Sequence, residues 1–78
     1  MILGSTWMLP GYCLILMDPS IDDPDVWKQT IWHEYLHCFY YGHHTDKRDI
    51  MYAELNPWIR ESSVDNYLKE LKELYEQC

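Results

Sequence analysis

A chain of 78 residues, 47% hydrophobic, has room for one small domain with a modest core. Its apolar content, with 15% aromatic residues, excludes a disordered segment. A net charge of −7 with only six Lys and Arg argues against partners that need a basic patch, whether nucleic acid or an anionic membrane surface.

No basic region of the signal-peptide kind opens the chain, and no apolar run approaches membrane-spanning length, so an intracellular setting is expected. Cys13, Cys38 and Cys78 lie far apart, and an odd count without paired spacing points to reduced thiols rather than a disulfide framework. The apolar runs Ile2 to Met8 and Tyr12 to Met17 flank Leu9-Pro10-Gly11, a turn signal that predicts a β-hairpin. The Asp- and Pro-rich stretch that follows ends as a helix start, with Asp23 at the N-cap, Pro24 in the first helical position and Asp25 in the first turn. A helix is predicted from Pro24 to about Tyr41, stopped by Gly42. Val26, Trp27, Ile31, Trp32, Tyr35, Leu36, Phe39 and Tyr40 make it apolar around most of its circumference, the pattern of a central, buried helix. His43 to Trp58 reads as an irregular connection. A second helix is expected from Ser62, with Ser62 and Asp65 spaced as a capping box and an apolar stripe at Val64, Leu68, Leu71, Leu74 and Tyr75. Val64, Leu71 and Cys78 also have heptad spacing, but two heptads are too few for a coiled coil and packing on the first helix is the default. The order hairpin, helix, loop, helix gives an α+β fold, one domain over residues 1–78.

The chemistry concentrates in His33-Glu34-Tyr35-Leu36-His37, an H-E-x-x-H pattern inside the first helix. Helical residues four apart share a face, so both imidazoles can reach one ion. Zinc held by neutral imidazoles keeps a position open for water and lowers that water's pKa toward about 7. Glu34 is then the general base, able to pass the proton on to a leaving amine. A five-residue match also arises by chance, with both histidines as ordinary helix residues, but polar groups on an apolar helix are costly without compensation and a metal supplies it. A third ligand is at hand in His43, just beyond Gly42, where the backbone can reverse; His44 competes for the role.

From His33 to Tyr52 the sequence resembles the metzincin zinc metallopeptidases, in particular their matrixin-like branch. His33, Glu34, His37 and His43 stand at the ligand, base, ligand and ligand positions of that family's extended motif. Asp46 and Ile50-Met51-Tyr52 match the segment ending in its methionine turn. The resemblance implies a minimal zincin-like fold, in which the hairpin packs on a central zinc-binding helix and the C-terminal helix closes the core. It implies one catalytic zinc ion, endopeptidase activity on a peptide or protein substrate, and Met51 and Tyr52 as support beneath the metal. It further implies that the first strand, carrying Trp7, binds extended substrate by main-chain pairing, and that Tyr52 to Trp58 line a pocket for the residue after the scissile bond. Tyr40 departs from the family, standing where it has a glycine, and the family's N-terminal strands and first helix have no counterpart here.

Two other readings compete. Glu61 and Asp65 have the spacing of the gluzincin third-ligand motif; His43 is preferred because Met51-Tyr52 is an independent match. A catalytically degenerate, zinc-stabilised binding protein would also use the histidines, but a structural zinc site is normally closed by four ligands. Cys38 is a poor fourth ligand, pointing about 100° from His37, and reads as a small buried apolar residue. A domain this small is expected to gain from its metal, and a second copy or a partner chain would help in the same way.

Overall fold

Pro10 and Gly11 set the first turn: proline fixes its own φ, and Gly11 takes φ 85°, a conformation that costs glycine nothing. They join β1 (Gly4–Leu9) to β2 (Tyr12–Met17), antiparallel and in the register Leu9 opposite Tyr12. This computed structural model describes residues 3–76, so Ile2 and Cys78, assigned above to the first strand and the last helix, lie outside the described residues. Paired residues share a face. Thr6 with Ile15 and Met8 with Cys13 face the first helix, while Trp7 with Leu14 and Leu9 with Tyr12 form an exposed apolar face on the other side.

That helix, α1 (Pro24–His37), begins as the sequence predicts, the Asp23 carboxylate accepting a hydrogen bond from the Asp25 amide at 2.9 Å. Its end differs. The amides of Cys38, Phe39 and Tyr40 bond three residues back, to the carbonyls of Tyr35, Leu36 and His37, so the chain tightens and leaves the helix at His37 rather than Tyr41. Tyr40 then takes φ 68°, whereas Gly42 does not enter the left-handed region. Tyrosine therefore performs the reversal expected of Gly42. Nor is α1 buried all round: Thr30, Glu34 and Leu36 are buried, while Trp27 and Tyr35 stay exposed because the two-stranded hairpin covers only one side.

The expectation of reduced thiols is also corrected. Cys13, on the helix-facing side of β2, and Cys38, the residue after α1, form a disulfide with Cα atoms 5.9 Å apart. Their partnership depends on the hairpin lying across the end of α1, which sequence spacing does not reveal. Cys38 is thus neither a free apolar residue nor a ligand, and it ties the end of the histidine-bearing helix to the sheet.

The core is Leu36, Ile50, Met51 and Val64, with Trp32, Tyr41, Ile59, Tyr67 and Leu71 packed against it. Val64, Tyr67 and Leu71 come from one face of α2 (Ser63–Glu76), at the three- and four-residue steps that bring helical side chains into line. Ser63, rather than a Ser62–Asp65 box, anchors its start: the Ser63 hydroxyl accepts from the Ile50 amide at 2.8 Å and donates to the Arg60 carbonyl at 2.7 Å. The segment between the helices is irregular as expected, yet pinned. The Asp49 carboxylate accepts from the Met51 amide and from the Tyr67 hydroxyl, at 2.8 and 2.7 Å. The Arg60 amide reaches the Arg48 carbonyl at 2.8 Å.

Candidate metal centre

One helical turn separates His33 from His37, and each ring is oriented by a main-chain carbonyl. Nδ1 of His33 lies 2.7 Å from the Ile50 oxygen, and Nδ1 of His37 lies 2.7 Å from the Tyr41 oxygen. A carbonyl only accepts, so in each neutral ring the proton sits on Nδ1 and Nε2 is a bare lone pair. Those two Nε2 atoms face each other at 3.1 Å. Lone pairs so placed repel unless a cation or a proton lies between them. Bonds of about 2.0–2.1 Å in tetrahedral geometry put neighbouring ligand nitrogens about 3.3 Å apart, so the spacing suits a shared ion. Burial pushes the His33 imidazole below its usual pKa; the Ile50 carbonyl opposes this and His37 adds to it. The result favours the neutral form, which is the form that binds metal.

His43 completes the group: one nitrogen from each of the three rings lies within 4.8 Å of the others, and together they could hold a metal ion. The Tyr40 turn brings the chain back, and a short bridge holds it there, with the His44 amide donating to the Met51 carbonyl at 2.9 Å and His44 pairing with Tyr52. Of the two candidates for third ligand, the structure brings in His43. The His44 ring instead accepts from the Asp46 amide through Nδ1 at 3.0 Å and stands outside the group. Glu61 also stands outside it, its carboxylate 3.4 Å from Lys28.

The methionine segment supports the site largely through its backbone. Ile50 offers its carbonyl to His33 and Met51 offers its own to residue 44, while the Met51 side chain is fully buried with Leu36. Carbonyl partners of this kind fix ring orientation and tautomer. Glu34 is 8% exposed. Its Oε2 accepts a hydrogen bond from the Thr6 hydroxyl, which also lies 2.9 Å from the Glu34 carbonyl oxygen.

A cleft of about 550 Å³ opens beside these groups, lined by Gly4, His33, Glu34 and His43 together with Tyr52, Leu55 and Ile59. Two residues expected to meet substrate, Trp58 as pocket lining and Trp7 on the pairing strand, are not among those that line this cleft. Trp58 is 61% exposed, with the Lys47 ammonium 5.7 Å from its ring centroid, and Trp7 is 58% exposed on the outer face of the hairpin. The alternation of β1 turns Trp7 away from α1, and of the segment expected to line the pocket it is Tyr52 to Leu55 that do so, joined by Ile59 rather than Trp58.

Comparison with known proteins gives no match. No family model fits the sequence, and no curated protein or solved structure matches it. The site is therefore read from its own chemistry. Sequence reasoning missed Thr6 and the carbonyls of Tyr41 and Ile50. The alternation of β1 places Thr6 two residues from Gly4 on one face, but only the packing shows that this face meets Glu34.

Proposed function

We propose that this chain is a zinc-dependent endopeptidase of the metzincin kind. The observation that carries the reading is the pair of bare Nε2 atoms 3.1 Å apart, joined by His43, with the buried Glu34 carboxylate in the same cleft. Three neutral imidazoles suit zinc and leave a position for a reactant. A zinc ion held there would polarise the scissile carbonyl and make water acidic enough to react near neutral pH. Glu34 would accept the proton of a water whose oxygen bonds to the scissile carbon and return it to the amine as the C–N bond breaks, so the hydrolysis balances within the cleft. Ile50 and Tyr41 hold the two helical imidazoles in the ligating tautomer through their carbonyls. Leu55 and Ile59 offer an apolar wall to a substrate side chain, and β1 offers a free edge to an extended peptide. A minimal zincin-like fold, in which α1 carries the ion and Met51 backs it, follows from the same reading.

The exposed apolar face of the hairpin favours a second reading, a zinc-stabilised binding protein without catalysis. Metal analysis combined with hydrolysis of casein separates the two. The endopeptidase reading expects one zinc per chain, loss of zinc in His43→Ala, and a Glu34→Ala variant that keeps zinc but cleaves at least about 100-fold more slowly. Unchanged cleavage in Glu34→Ala would remove Glu34 as the base. Loss of zinc in Glu61→Ala but not in His43→Ala would make the site a gluzincin one. Zinc without cleavage in the parent chain would favour the binding protein.

A further inference from the structure

Strand β1 does more at the site than present an edge. Its helix-facing side carries Gly4 and Thr6, two residues apart, and both meet the same side chain of α1. A Cβ added at Gly4 would stand 3.1 Å from Glu34 Cγ, 3.1 Å from the Leu16 carbonyl oxygen and 3.2 Å from Thr30 Cγ2. These distances are too short to be absorbed without a shift, so the missing side chain makes room for the stem of Glu34. Thr6 then meets the far end of that side chain, its hydroxyl donating to Oε2. Thr6 Oγ1 carries one proton and also lies 2.9 Å from the Glu34 carbonyl oxygen, so the carboxylate and the helix carbonyl compete for that proton, and the closer, charged carboxylate oxygen takes the larger share. Thr30, below Glu34 on α1, spends its own hydroxyl on the Val26 carbonyl at 2.7 Å and so does not compete for the carboxylate.

We infer that Thr6 is a positioning residue for Glu34: it engages one carboxylate oxygen from the strand side, which leaves the other to meet the water in the cleft, while Gly4 provides the clearance. The inference rests on the endopeptidase reading for its kinetic consequence, but not for its structural content. A carboxylate hanging from a three-bond stem samples several rotamers, and a charge-assisted bond from a neighbouring strand selects one of them. Thr6 acts through Glu34 and has no assigned contact with substrate, so its removal should slow turnover without weakening substrate binding.

The test compares the zinc-loaded full chain with Thr6→Val, Thr6→Ser and Gly4→Ala, using fluorescently labelled casein for kinetics and crystallography for the position of Glu34. Thr6→Val keeps the branched shape and loses the donor. It is expected to lower kcat about tenfold or more, the scale of a lost hydrogen bond to a charged group, with KM within about twofold of the parent and one zinc retained. Thr6→Ser restores the hydroxyl and should recover most of kcat. Gly4→Ala should lower kcat through displacement of the Glu34 stem, again with zinc retained. Crystals of zinc-loaded Thr6→Val should show the Glu34 carboxylate turned from its parent position. Three results overturn the inference: kcat unchanged in Thr6→Val, KM raised at constant kcat, or Thr6→Ser as impaired as Thr6→Val. If the parent binds zinc and never cleaves casein, the endopeptidase reading fails by itself. The crystals then decide, and a carboxylate that stays in place in Thr6→Val refutes the role of Thr6.

Discussion

The two helices are the same length, 14 residues each, and solve opposite problems. α2 is an ordinary amphipathic helix: Val64, Tyr67 and Leu71 meet the core and its charged residues meet water. α1 inverts that arrangement. Two of its three buried residues, Thr30 and Glu34, are polar, two half-buried histidines stand beside them, and Trp27 and Tyr35 are left exposed. A helix that served only to fill a core would turn those faces around. Its polar groups are therefore each given a partner: Val26 for Thr30, Thr6 for Glu34, and the Ile50 and Tyr41 carbonyls for the imidazoles. α1 accordingly depends on its surroundings for stability, and α2 depends mainly on its own apolar face.

The contrast can be broken most severely at Leu36, the one apolar side chain of α1 that is fully buried. Leu36→Ala should cost about 2–5 kcal/mol, enough to unfold most of a domain of marginal stability, as read by urea denaturation. Leu68→Ala in α2, at a partly exposed position, should cost less than about 1 kcal/mol. The next largest effect belongs to the staple at the end of α1. Cys13→Ser with Cys38→Ser opens a loop of 25 residues, for which chain entropy predicts a loss of about 3.5 kcal/mol. The same experiment asks whether the site depends on the staple, because Cys38 directly follows His37. Zinc affinity measured by competition with a chelator should fall in the double variant.

Legibility differed along the same divide. The hairpin, the start of α1 and the core positions of Val64 and Leu71 in α2 follow from turn chemistry, capping and periodicity, which are local and therefore readable, whereas Leu68, Leu74 and Tyr75 of the expected stripe stay exposed and Tyr67 packs on the core instead. So is the i, i+4 placement of His33 and His37. What could not be read depends on one element lying across another. Cys13 meets Cys38, and Thr6 meets Glu34, only because the hairpin crosses α1; Trp7 faces outward for the same reason. The end of α1 misled because its apolar pattern runs on to Tyr40, while hydrogen-bond geometry ends the helix at His37.

A smaller effect tests how α2 holds the connection behind the site. The Tyr67 hydroxyl donates to the Asp49 carboxylate, whose other partner is the Met51 amide. Burial first, and then the bond to Asp49, raise the Tyr67 pKa well above its ordinary value near 10. A group whose pKa rises on folding contributes stability that is complete below its unfolded pKa. That stability is lost as pH rises through the unfolded value toward the folded one. Stability of the parent should therefore fall above pH 10, with Tyr41, raised chiefly by burial, acting in the same sense. Tyr67→Phe should lose about 1.5 kcal/mol at neutral pH and show a shallower alkaline limb in denaturation measured between pH 8 and 11.

The smallest expected effect lies where α1 gives way to the irregular segment that carries His43. Tyr40 holds φ 68° with its ring 83% exposed, so the side chain gains little packing in return for a left-handed backbone. For an L-residue that conformation costs roughly 1–2 kcal/mol, part of which glycine gives back through the entropy of its unfolded chain. Tyr40→Gly should thus stabilise the fold by up to about 1 kcal/mol. Gly42 presents the opposite case: its φ is not left-handed and a Cβ there would meet nothing within 4 Å, so Gly42→Ala should be neutral or gain about 0.5 kcal/mol. If the reversal ran through Gly42 instead, the signs would exchange: Gly42→Ala would destabilise, Tyr40→Gly would not stabilise, and thermal melts of the two variants would show it. The comparison also bears on His43, since whichever residue makes the reversal sets the path by which the third imidazole returns to the other two.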